Sequence, residues 1–339
     1  MKRFFLLSFM CLVLVSAGFG QDADLVYIDG WVDLKRAGGD LEEAFFGDLV
    51  RVGDSVITGE DGTAELARGS ESHIVISPDT IFTLMATERN GKKQTVLSCT
   101  LGAIAFRFNK MTEEEPMITS PSMTAGVRGT EFTVYTAADG STLVAVESGL
   151  VEIEGAGETV SLEAEEGVEI RPGEAPGKKF KVLRGQIDYS TWSAGKMDAF
   201  LDDPEAALRR IGVRLDEYAA RILEYNDHRA RLKQAVAQER AKLEDIKAEK
   251  GEEAVVEHYK TVIQPMEDES AFSVLNMRYY ALSAVSLRRY LMSGLYTTMK
   301  TRYLADADNG AYLGFLEAYN DLLAKYEEGV TPYLVEADF

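Results

Sequence analysis

The residues that could carry out chemistry in this chain of 339 residues are few and far apart. Its three histidines are His73, His228 and His258. Zinc sites bring their ligands close together, often as two histidines four residues apart on one helix, and these three form no such pair. The sequence also lacks a Gly-x-Ser-x-Gly nucleophile motif and a glycine-rich phosphate loop. We therefore predict a protein that is not an enzyme and has no metal or cofactor.

One acidic loop has the spacing of a calcium site. Asp306 and Glu317 are eleven residues apart, and carboxylates at this spacing occur in calcium-binding loops. However, the sixth position of such a loop needs a glycine for its turn, and here it is Ala311. We favour the interpretation that Asp308 or Asn309 caps the helix that follows.

Tyrosines recur at helical spacing in the second half of the chain. Their rings and hydroxyl groups could line a groove for a sugar or a peptide. We favour the interpretation that they form the core and rim of a helical bundle, because rings at this spacing fall on one helix face. The tyrosines are Tyr279, Tyr280, Tyr290, Tyr296, Tyr303, Tyr312, Tyr319 and Tyr326.

Residues 120–132 form the stretch around which the first half of the chain is organised. Pro121 favours an extended backbone for the residue before it, and this argues against a helix start. Gly129 permits a positive φ or the close approach of another backbone. Polar and apolar residues then alternate from Thr130 to Tyr135. The pattern predicts a turn that leads into a strand.

Arg128 carries a planar guanidinium group in a region where acidic residues outnumber basic ones. Such a group can bind two carboxylate or carbonyl groups at once. One interpretation makes Arg128 part of a docking surface for a partner or a glycan. The other, which we favour, makes it a buried clamp between adjacent β layers, because Gly129 and Phe132 beside it are packing residues.

The same stretch resembles the signature of the FecR-domain family, Thr-Pro-x-Ala-x-x-x-Val-Arg-Gly-Thr-x-Phe. Ser120 stands in place of the threonine and Met123 in place of the alanine. Residues 52–59 and 146–151 are similar to the family's lead-in and exit, and we take the resemblance to cover about residues 25–175. The motif residues, with a structural or partner-binding role, are Ser120, Pro121, Val127, Arg128, Gly129, Thr130 and Phe132.

The first half of the chain is predicted to be all-β. Short alternating segments are separated by turn residues every 8 to 14 positions, which is typical of a sandwich, a roll or a short solenoid. The resemblance implies a solenoid-like β module. Together these predict a FecR-like roll or solenoid-like sandwich, followed by an all-α helical bundle or coiled-coil hairpin.

The N-terminus is typical of a secretory signal peptide. Lys2 and Arg3 precede an apolar run over residues 4–17, and small residues follow it up to a cleavage point before Gln21. The apolar run has 14 residues, fewer than the roughly 20 that cross a bilayer. We therefore predict export across the inner membrane to the periplasm or cell envelope, with no transmembrane span after cleavage of residues 1–20.

Cleavage at that point leaves one cysteine. Cys11 lies inside the apolar run, and Cys99 lies in a strand-like segment. A single cysteine cannot form an internal disulfide, so the fold depends on packing. We predict that Cys99 is a small core residue.

The net charge of the chain is −20, and residues 21–180 hold −16 of it. This field disfavours nucleic acid as a partner of the first half, because nucleic acid carries the same sign of charge. Prolines, glycines and lysines near residues 171–179 mark a change of composition. The predicted division is a signal peptide (1–20), a FecR-like β domain (21–175), a linker (176–200) and a helical bundle (201–339).

The second half has helical periodicity. Asp203 and Pro204 form a helix start, with an aspartate cap and a proline in the first turn. Apolar residues then recur at steps of three and four from Leu208 to Ile246, as in a heptad seam. A shorter helical run is predicted to end at Pro265, with a long buried helix from about Ser270. The pattern does not fix whether the seam pairs within the chain or between copies in a homo-oligomer.

Two functional hypotheses follow. The first is a non-enzymatic binding or scaffold protein of the bacterial envelope, whose β domain recognises a protein or cell-wall partner while the helices mediate assembly. The second is a periplasmic component of a sigma/anti-sigma pathway. The family includes an envelope regulator that relays a signal to a sigma factor, but that role requires a cytoplasmic segment and a membrane span ahead of the β domain, where this chain has a cleavable signal. We therefore place the binding or scaffold role first.

Overall fold

The computed structural model describes residues 22–334 apart from residues 38, 40, 70–71, 110–114 and 183–185. The predicted signal peptide, residues 1–20, lies outside the described residues. The described chain has an N-terminal β-rich region, here the β region, and a C-terminal helical region. The prediction of a β-rich first half and a helical second half is confirmed.

The β region contains 15 described strands, all connected through hydrogen bonds in one sheet. In chain order they are β1 (Ala23–Asp29), β2 (Val32–Lys35), β3 (Leu41–Glu43), β4 (Leu49–Val50), β5 (Ser55–Thr58), β6 (Thr63–Arg68), β7 (Ser72–Ile76), β8 (Ile81–Arg89), β9 (Lys92–Phe108), β10 (Met117–Thr119), β11 (Thr124–Thr136), β12 (Thr142–Gly155), β13 (Glu158–Glu163), β14 (Glu166–Ile170) and β15 (Phe180–Lys181).

Strand β9 is the central strand of this sheet. Up to Leu101 it pairs antiparallel with β8 and parallel with β10, and from Gly102 onward it pairs with β7 and β11. The change of partners occurs at Gly102, whose φ is +94° and where a Cβ atom would lie 2.1 Å from the Oγ1 atom of Thr80. Only glycine fits this position, because both the backbone conformation and the space exclude a side chain.

One hydrophobic cluster fills the β region and draws on strands from β1 to β14. Alternation along the strands supplies it: in β6, for example, Ala64 and Leu66 are fully buried while their neighbours are partly exposed. Phe106 and Phe132 stack in this core with their ring centroids 5.1 Å apart. Cys99 is also fully buried there, as predicted for a small core residue.

The helical region contains the following described helices: α1 (Tyr189–Asp202), α2 (Pro204–Ala241), α3 (Leu243–Lys250), α4 (Glu252–His258), α5 (Gln264–Ser286), α6 (Ser293–Arg302), α7 (Gly310–Gly329) and α8 (Thr331–Leu334). Two π-helical segments, Tyr259–Ile263 and Leu287–Met292, join α4 to α5 and α5 to α6. Asp203 caps α2 as predicted, because its carboxylate accepts a hydrogen bond from the amide of Ala206 at 3.0 Å.

The seam predicted from Leu208 to Ile246 faces the returning helix of the same chain. Helix α2 packs along α5, and α3 returns into α4 at Gly251. Seven residues of α2 up to Ile222 are fully buried. Beyond that point the seam positions are half-buried, and ion pairs such as Arg240 with Glu267 bridge the two helices. We call residues 204–286, which run from α2 through α3 and α4 to the end of α5, the hairpin.

The prediction that a helix ends at Pro265 is wrong. Pro265 lies in the first turn of α5, directly after the π-helical segment Tyr259–Ile263. Proline is tolerated in the first turn of a helix, where a backbone N–H would have no partner inside the helix. The π-helical segment therefore lets the helical path continue from Glu252 to Arg302 without a turn.

Helix α5 lies between the β region and the other helices. Met277, Ala281 and Ala284 belong to the core that α5 forms with α2 and α7. Tyr279 instead packs against Met85 and Val96 of the sheet. This double contact explains why apolar residues surround the whole helix in the sequence.

The segment predicted as a linker, residues 176–200, contains strand β15 and the beginning of α1. Helix α1 is fastened to β14 through Glu169, which accepts hydrogen bonds from the indole of Trp192 at 3.1 Å and from Lys196. Among the described helices, none has both the length and the apolar character needed to cross a membrane.

Candidate functional site

Residues 120–132, here the corner, comprise the turn between β10 and β11 and the first part of β11. Ser120 organises the turn. Its hydroxyl oxygen accepts hydrogen bonds from the amides of Ser122 at 3.3 Å and Met123 at 3.2 Å, and from the hydroxyl of Thr142 at 2.8 Å. A hydroxyl side chain commonly closes a tight turn in this way. Serine therefore serves in the place of threonine at the corner.

The second half of the corner contains an irregularity in strand pairing. Gly129 has a φ of +55°, and the register of β11 against β12 shifts between Arg128 and Glu131. Across from it, Gly149 has a φ of +87°, and a Cβ atom there would lie 2.8 Å from the carbonyl oxygen of Gly129. Of the two alternatives considered for Gly129, the positive φ is present, and the two glycines permit the bulge.

The remaining motif residues are part of the β region. Val127 pairs with Val151 and is 5% exposed, Thr130 is buried, and Phe132 is fully buried. The backbone of Arg128 pairs with Leu150, but its side chain lies outside the described residues. The choice between a clamp and a docking role for Arg128 therefore stays a prediction.

The helical region covers the first half of the corner. Ser120 and Pro121 are buried, and together with Leu287 of the second π-helical segment they line a small cavity. Nearby, a Cβ atom on Gly140 would lie 2.9 Å from the Cδ2 atom of Leu291 and 3.4 Å from Pro121. The start of the corner therefore faces protein rather than solvent.

Beside this contact the β region and the hairpin leave a cavity of about 480 Å³, which we call the sheet–helix cleft. Thr124, within the corner, and Met117 lie on its sheet side. The residues that line it are Thr87, Glu88, Arg89, Gln94, Met117, Thr124, Glu154, Ala156, Gly157, Arg214, Glu217, Tyr218, Arg221, Tyr225, Tyr279 and Tyr280.

Asn276 of α5 joins the two walls of the cleft. Its side-chain oxygen accepts hydrogen bonds from the hydroxyl of Thr87 at 2.8 Å and from the amide of Glu88 at 2.6 Å. Its amide nitrogen donates to the carboxylate of Glu88 at 3.3 Å. A buried side chain with several satisfied bonds fixes the orientation of the elements that it joins.

Four tyrosines form the hairpin side of the cleft. Tyr225 stacks on Tyr280 with the ring centroids 6.0 Å apart and the planes at 18°, and Tyr218 and Tyr279 contact the same ring. Burial raises the pKa of Tyr280 and of Tyr225 above the ordinary value of 10. The hydroxyl groups therefore stay neutral and can both donate and accept hydrogen bonds.

Charges of both signs meet in the cleft. Arg214 donates to the carboxylate of Glu217 at 2.6 Å and to the hydroxyl of Tyr218 at 3.1 Å. Burial acts to lower the pKa of Arg214, but Tyr218, Tyr279 and Glu217 act more strongly together and raise it. The lining also contains Arg89, Arg221, Glu88 and Glu154, so it holds three basic and three acidic residues.

The cleft is suited to binding. Aromatic faces, neutral hydroxyl groups and balanced charges offer contacts to a polar organic surface.

Each of the three histidines lies outside the cleft and bonds to one glutamate. Within the described ranges, no group of three His, Cys, Asp or Glu residues is placed to hold a metal. The pairs are His73 with Glu65, His228 with Glu269 and His258 with Glu239, at 2.8, 2.9 and 3.0 Å.

The acidic loop before α7 caps a helix. Asn309 is the N-cap residue, and its side-chain oxygen accepts a hydrogen bond from the amide of Ala311 at 3.0 Å. Its side-chain nitrogen donates to Asp306 at 3.0 Å. The capping interpretation is therefore correct for Asn309.

Sequence reasoning found part of this site. It identified the corner, and it considered Tyr279 and Tyr280 as groove residues or core residues; the structure gives Tyr280 both roles. It missed Asn276, Arg214 and Glu88. Asn276 gave the clearest available signal, because it lies among apolar residues such as Leu275 and Met277 and a buried amide needs a partner.

Residues 54–152 match the family model described as FecR protein. The match covers 99 of the 339 residues, so less than a third of the chain is similar to this family. The matched FecR segment begins at Asp54 and ends within β12, so it contains the corner and much of the sheet side of the cleft. Asp54 is itself buried and accepts hydrogen bonds from the amides of Ala37 and Arg51, both at 3.0 Å.

Two crystal structures described as a "putative anti-sigma factor" from Parabacteroides distasonis are similar to part of the chain. They are 13% and 14% identical to it, with TM-scores of 0.34 and 0.33. The alignments cover 41% and 44% of this chain and 63% and 64% of those chains, so this chain spans less than two thirds of their length. A comparison with curated proteins gave no match.

Proposed function

We propose that this chain is a regulatory binding protein of the bacterial cell envelope and that the sheet–helix cleft receives a segment of a partner protein. The observation that carries the proposal is the position of the cleft. Residues of the FecR domain form one wall, and residues of α2 and α5 form the other. The FecR domain supports a regulatory role because its family includes an envelope regulator that acts on a sigma factor.

A partner in this cleft would contact both regions at once. Arg89 belongs to the sheet, and Tyr225 belongs to the hairpin. A partner that gains binding free energy from both walls favours the relative position of the sheet and the hairpin that it fits best. Occupancy can thereby change the hairpin, which is the part of the molecule held by half-buried seam residues and ion pairs.

A peptide segment suits the lining of the cleft. Tyrosine faces accept apolar side chains and peptide planes, and Arg221 and Glu154 can bond to charged groups of either sign. The net charge of −20 disfavours nucleic acid at any nearby surface.

The proposal includes export and the shape of the β region. Lys2, Arg3 and the apolar residues 4–17 support a signal peptide and hence a periplasmic or envelope location. The long strands β9, β11 and β12, which exchange partners along their length, support a roll or solenoid-like arrangement.

A genetic complementation experiment tests the regulatory role. Deletion of the gene in its native host should change the transcript levels of a small set of genes, and the wild-type chain should restore them. A variant with Arg221→Ala and Tyr225→Ala, which alters the cleft, should fail to restore them. Arg231→Ala, an exposed change on the same helix, serves as the matched control and should restore them fully. An unchanged transcript profile after deletion would contradict the regulatory role.

A scaffold function is the second candidate. The observation that favours it is a set of exposed apolar side chains on the hairpin, in particular Leu223, Val256 and Tyr259. Such side chains can pack against another copy of the chain. Light scattering after size exclusion should then give a dimer or larger for the mature chain and a monomer for Leu223→Ser with Val256→Ser. A monomeric wild type would remove the assembly role of the helices.

A further inference from the structure

A second cavity between the β region and the helices has a strongly biased charge. Its volume is about 400 Å³, within the usual range for small-molecule sites. Four basic residues line it: Lys35 and Arg36 from the sheet, and Arg288 and Arg289 from the second π-helical segment. None of the described lining residues is acidic. We call this cavity the basic pocket.

This bias runs against the composition of the chain. Acidic residues outnumber basic residues by 56 to 36 over the whole sequence. Asp54 and Glu42 offset the charge of Arg36, but the charges of Lys35, Arg288 and Arg289 repel one another and raise the local concentration of anions. The cost of the arrangement is offset when an anion binds.

Two of the cations have no carboxylate partner in the part of the chain that the structure describes. Among the described residues, no carboxylate forms an ion pair with Lys35 or Arg289. Arg288 is weakly compensated, because its nearest carboxylate oxygen belongs to Glu327 at 3.7 Å.

Arg36 is held in place by hydrogen bonds from two of its three guanidinium nitrogen atoms. The Nη1 atom of Arg36 donates to the carbonyl oxygen of Leu49 at 2.7 Å and to Asp54 at 2.9 Å, while its Nε atom bonds to Glu42. These partners fix the guanidinium plane, and within the described part of the chain its Nη2 atom has no bonded partner. A fixed guanidinium group binds an oxyanion with less loss of entropy than a mobile one.

Neutral groups complete the lining. Ser286, which is 9% exposed, has a hydroxyl group with no hydrogen-bond partner in the described structure, and Tyr290 and Tyr326 add aromatic surface. The π-helical backbone brings Arg288, Arg289 and Tyr290 to the pocket from consecutive positions. π-Helical segments of this kind occur frequently at functional sites.

We propose that the basic pocket binds a small soluble phosphate ester. Its phosphate would be bound by Lys35, Arg289 and the open end of Arg36, because guanidinium and ammonium groups form short charge-assisted bonds with phosphate oxygens. The remaining volume and the rings of Tyr290 and Tyr326 accommodate an organic part about the size of a sugar. This site is separate from the sheet–helix cleft and does not depend on the function proposed for it.

Calorimetric titration of the full mature chain tests the proposal. The probes are glycerol 3-phosphate, inorganic phosphate and, as the uncharged counterpart, glycerol. We expect saturable binding of both phosphates at one site, tighter for the ester, with affinity falling as salt is raised. Glycerol should give no binding. Leu334 lines the pocket, and Glu336 and Asp338 follow it in the sequence. The same titration on a chain that ends at Leu334 shows whether these two carboxylates compete with phosphate for the basic residues.

Three variants locate the binding. Lys35→Gln and Arg289→Gln should each weaken glycerol 3-phosphate binding by about tenfold, which corresponds to the loss of one charge-assisted hydrogen bond. Arg231→Gln removes an exposed arginine remote from the pocket and should change the affinity less than twofold. Thermal unfolding checks that all three variants are folded. If neither phosphate binds to either chain, or if Lys35→Gln and Arg289→Gln bind as the wild type does, the proposal is wrong.

Discussion

The side-chain oxygen of Asn276 accepts a hydrogen bond from the hydroxyl group of Thr87 at 2.8 Å, across 189 positions of sequence. Both residues are buried, with 4% and 8% of their surface exposed. The bond fastens α5 to β8 and fixes the width of the sheet–helix cleft. The way the helical region lies on the β region therefore depends on one buried polar contact as well as on apolar packing.

Asn276→Leu should destabilise the protein strongly. The change removes three hydrogen bonds and leaves the hydroxyl of Thr87 and the amide of Glu88 buried without a partner, so we expect a loss of about 3 kcal/mol in the free energy of unfolding. Urea unfolding followed by circular dichroism measures it. Thr87→Val, which removes only one of these bonds, is the control and should cost about 1 kcal/mol. Equal unfolding midpoints for Asn276→Leu and the wild type would show that the contact contributes nothing.

Gly149→Ala should be more harmful than the same change at Gly157. Both glycines have positive φ, +87° and +79°, so both variants carry backbone strain. At Gly149 the new Cβ atom would also lie 2.7 Å from the side chain of Thr130, whereas at Gly157 it would meet nothing within 4 Å. We expect losses of about 3 and about 1 kcal/mol in the free energy of unfolding.

Thermal and urea unfolding of the two glycine variants provide the comparison. Because the strain is similar, the difference between the variants isolates the close approach of β11 and β12 at the corner. Equal losses would mean that the bulge at Gly129 can move aside without cost.

Cys99 should be unreactive in the folded protein. Burial raises the pKa of its thiol to about 12, so at pH 8 only about one molecule in ten thousand carries the reactive thiolate. We expect slow labelling by iodoacetamide at pH 8 and rapid labelling in denaturant, measured by mass spectrometry. Rapid labelling without denaturant would show that the core of the β region opens readily.

Glu169 should make the free energy of unfolding depend on pH. Its half-burial acts to raise the pKa, but the bonds from Lys196 and Trp192 and the charges of Lys196 and Arg171 outweigh this effect and hold the pKa below 4.5. A carboxyl group whose pKa is lower in the folded state than in the unfolded state stabilises the folded protein. This contribution is fully present at a pH above the pKa of the unfolded state, and it is lost as the pH falls through the pKa of the folded state.

Glu169→Gln tests this dependence, because it keeps a bond to Trp192 but removes the charge opposite Lys196. At pH 7 the variant should be about 1 kcal/mol less stable than the wild type. The difference should shrink as the pH is lowered below 4.5, the ordinary pKa of the group. Urea unfolding monitored by tryptophan fluorescence measures both chains, and a difference that does not change with pH would argue against the role of this carboxylate.

The local features of the fold could be predicted from the sequence. The alternation of strands such as β6, the aspartate cap of α2 and the positive φ of Gly129 each depend on a few neighbouring residues. Pro265 shows the limit of such reasoning, because whether proline ends a helix depends on the backbone before it, and the π-helical segment left no signature in the residue pattern.

The candidate site was predictable only in part, for a physical reason. The corner is a local motif, and its residues are adjacent in sequence. The sheet–helix cleft instead depends on how α5 lies on β8, and the contact between Asn276 and Thr87 has no counterpart in spacing or composition. Periodicity shows that a helix is buried on several faces, but it does not show which face meets the sheet.

The strand pairing of the β region also bears on where this module begins and ends. The matched segment starts at Asp54, yet β6 pairs with β1 and β5 pairs with β2, both of which precede it. A polypeptide of residues 54–152 alone would expose unprotected strand edges on β5, β6 and β12, because β12 pairs with β13 and β14 beyond residue 152, and it would be prone to aggregate. The autonomous folding unit is therefore larger than the segment by which the family is recognised, and a soluble fragment should begin no later than Ala23.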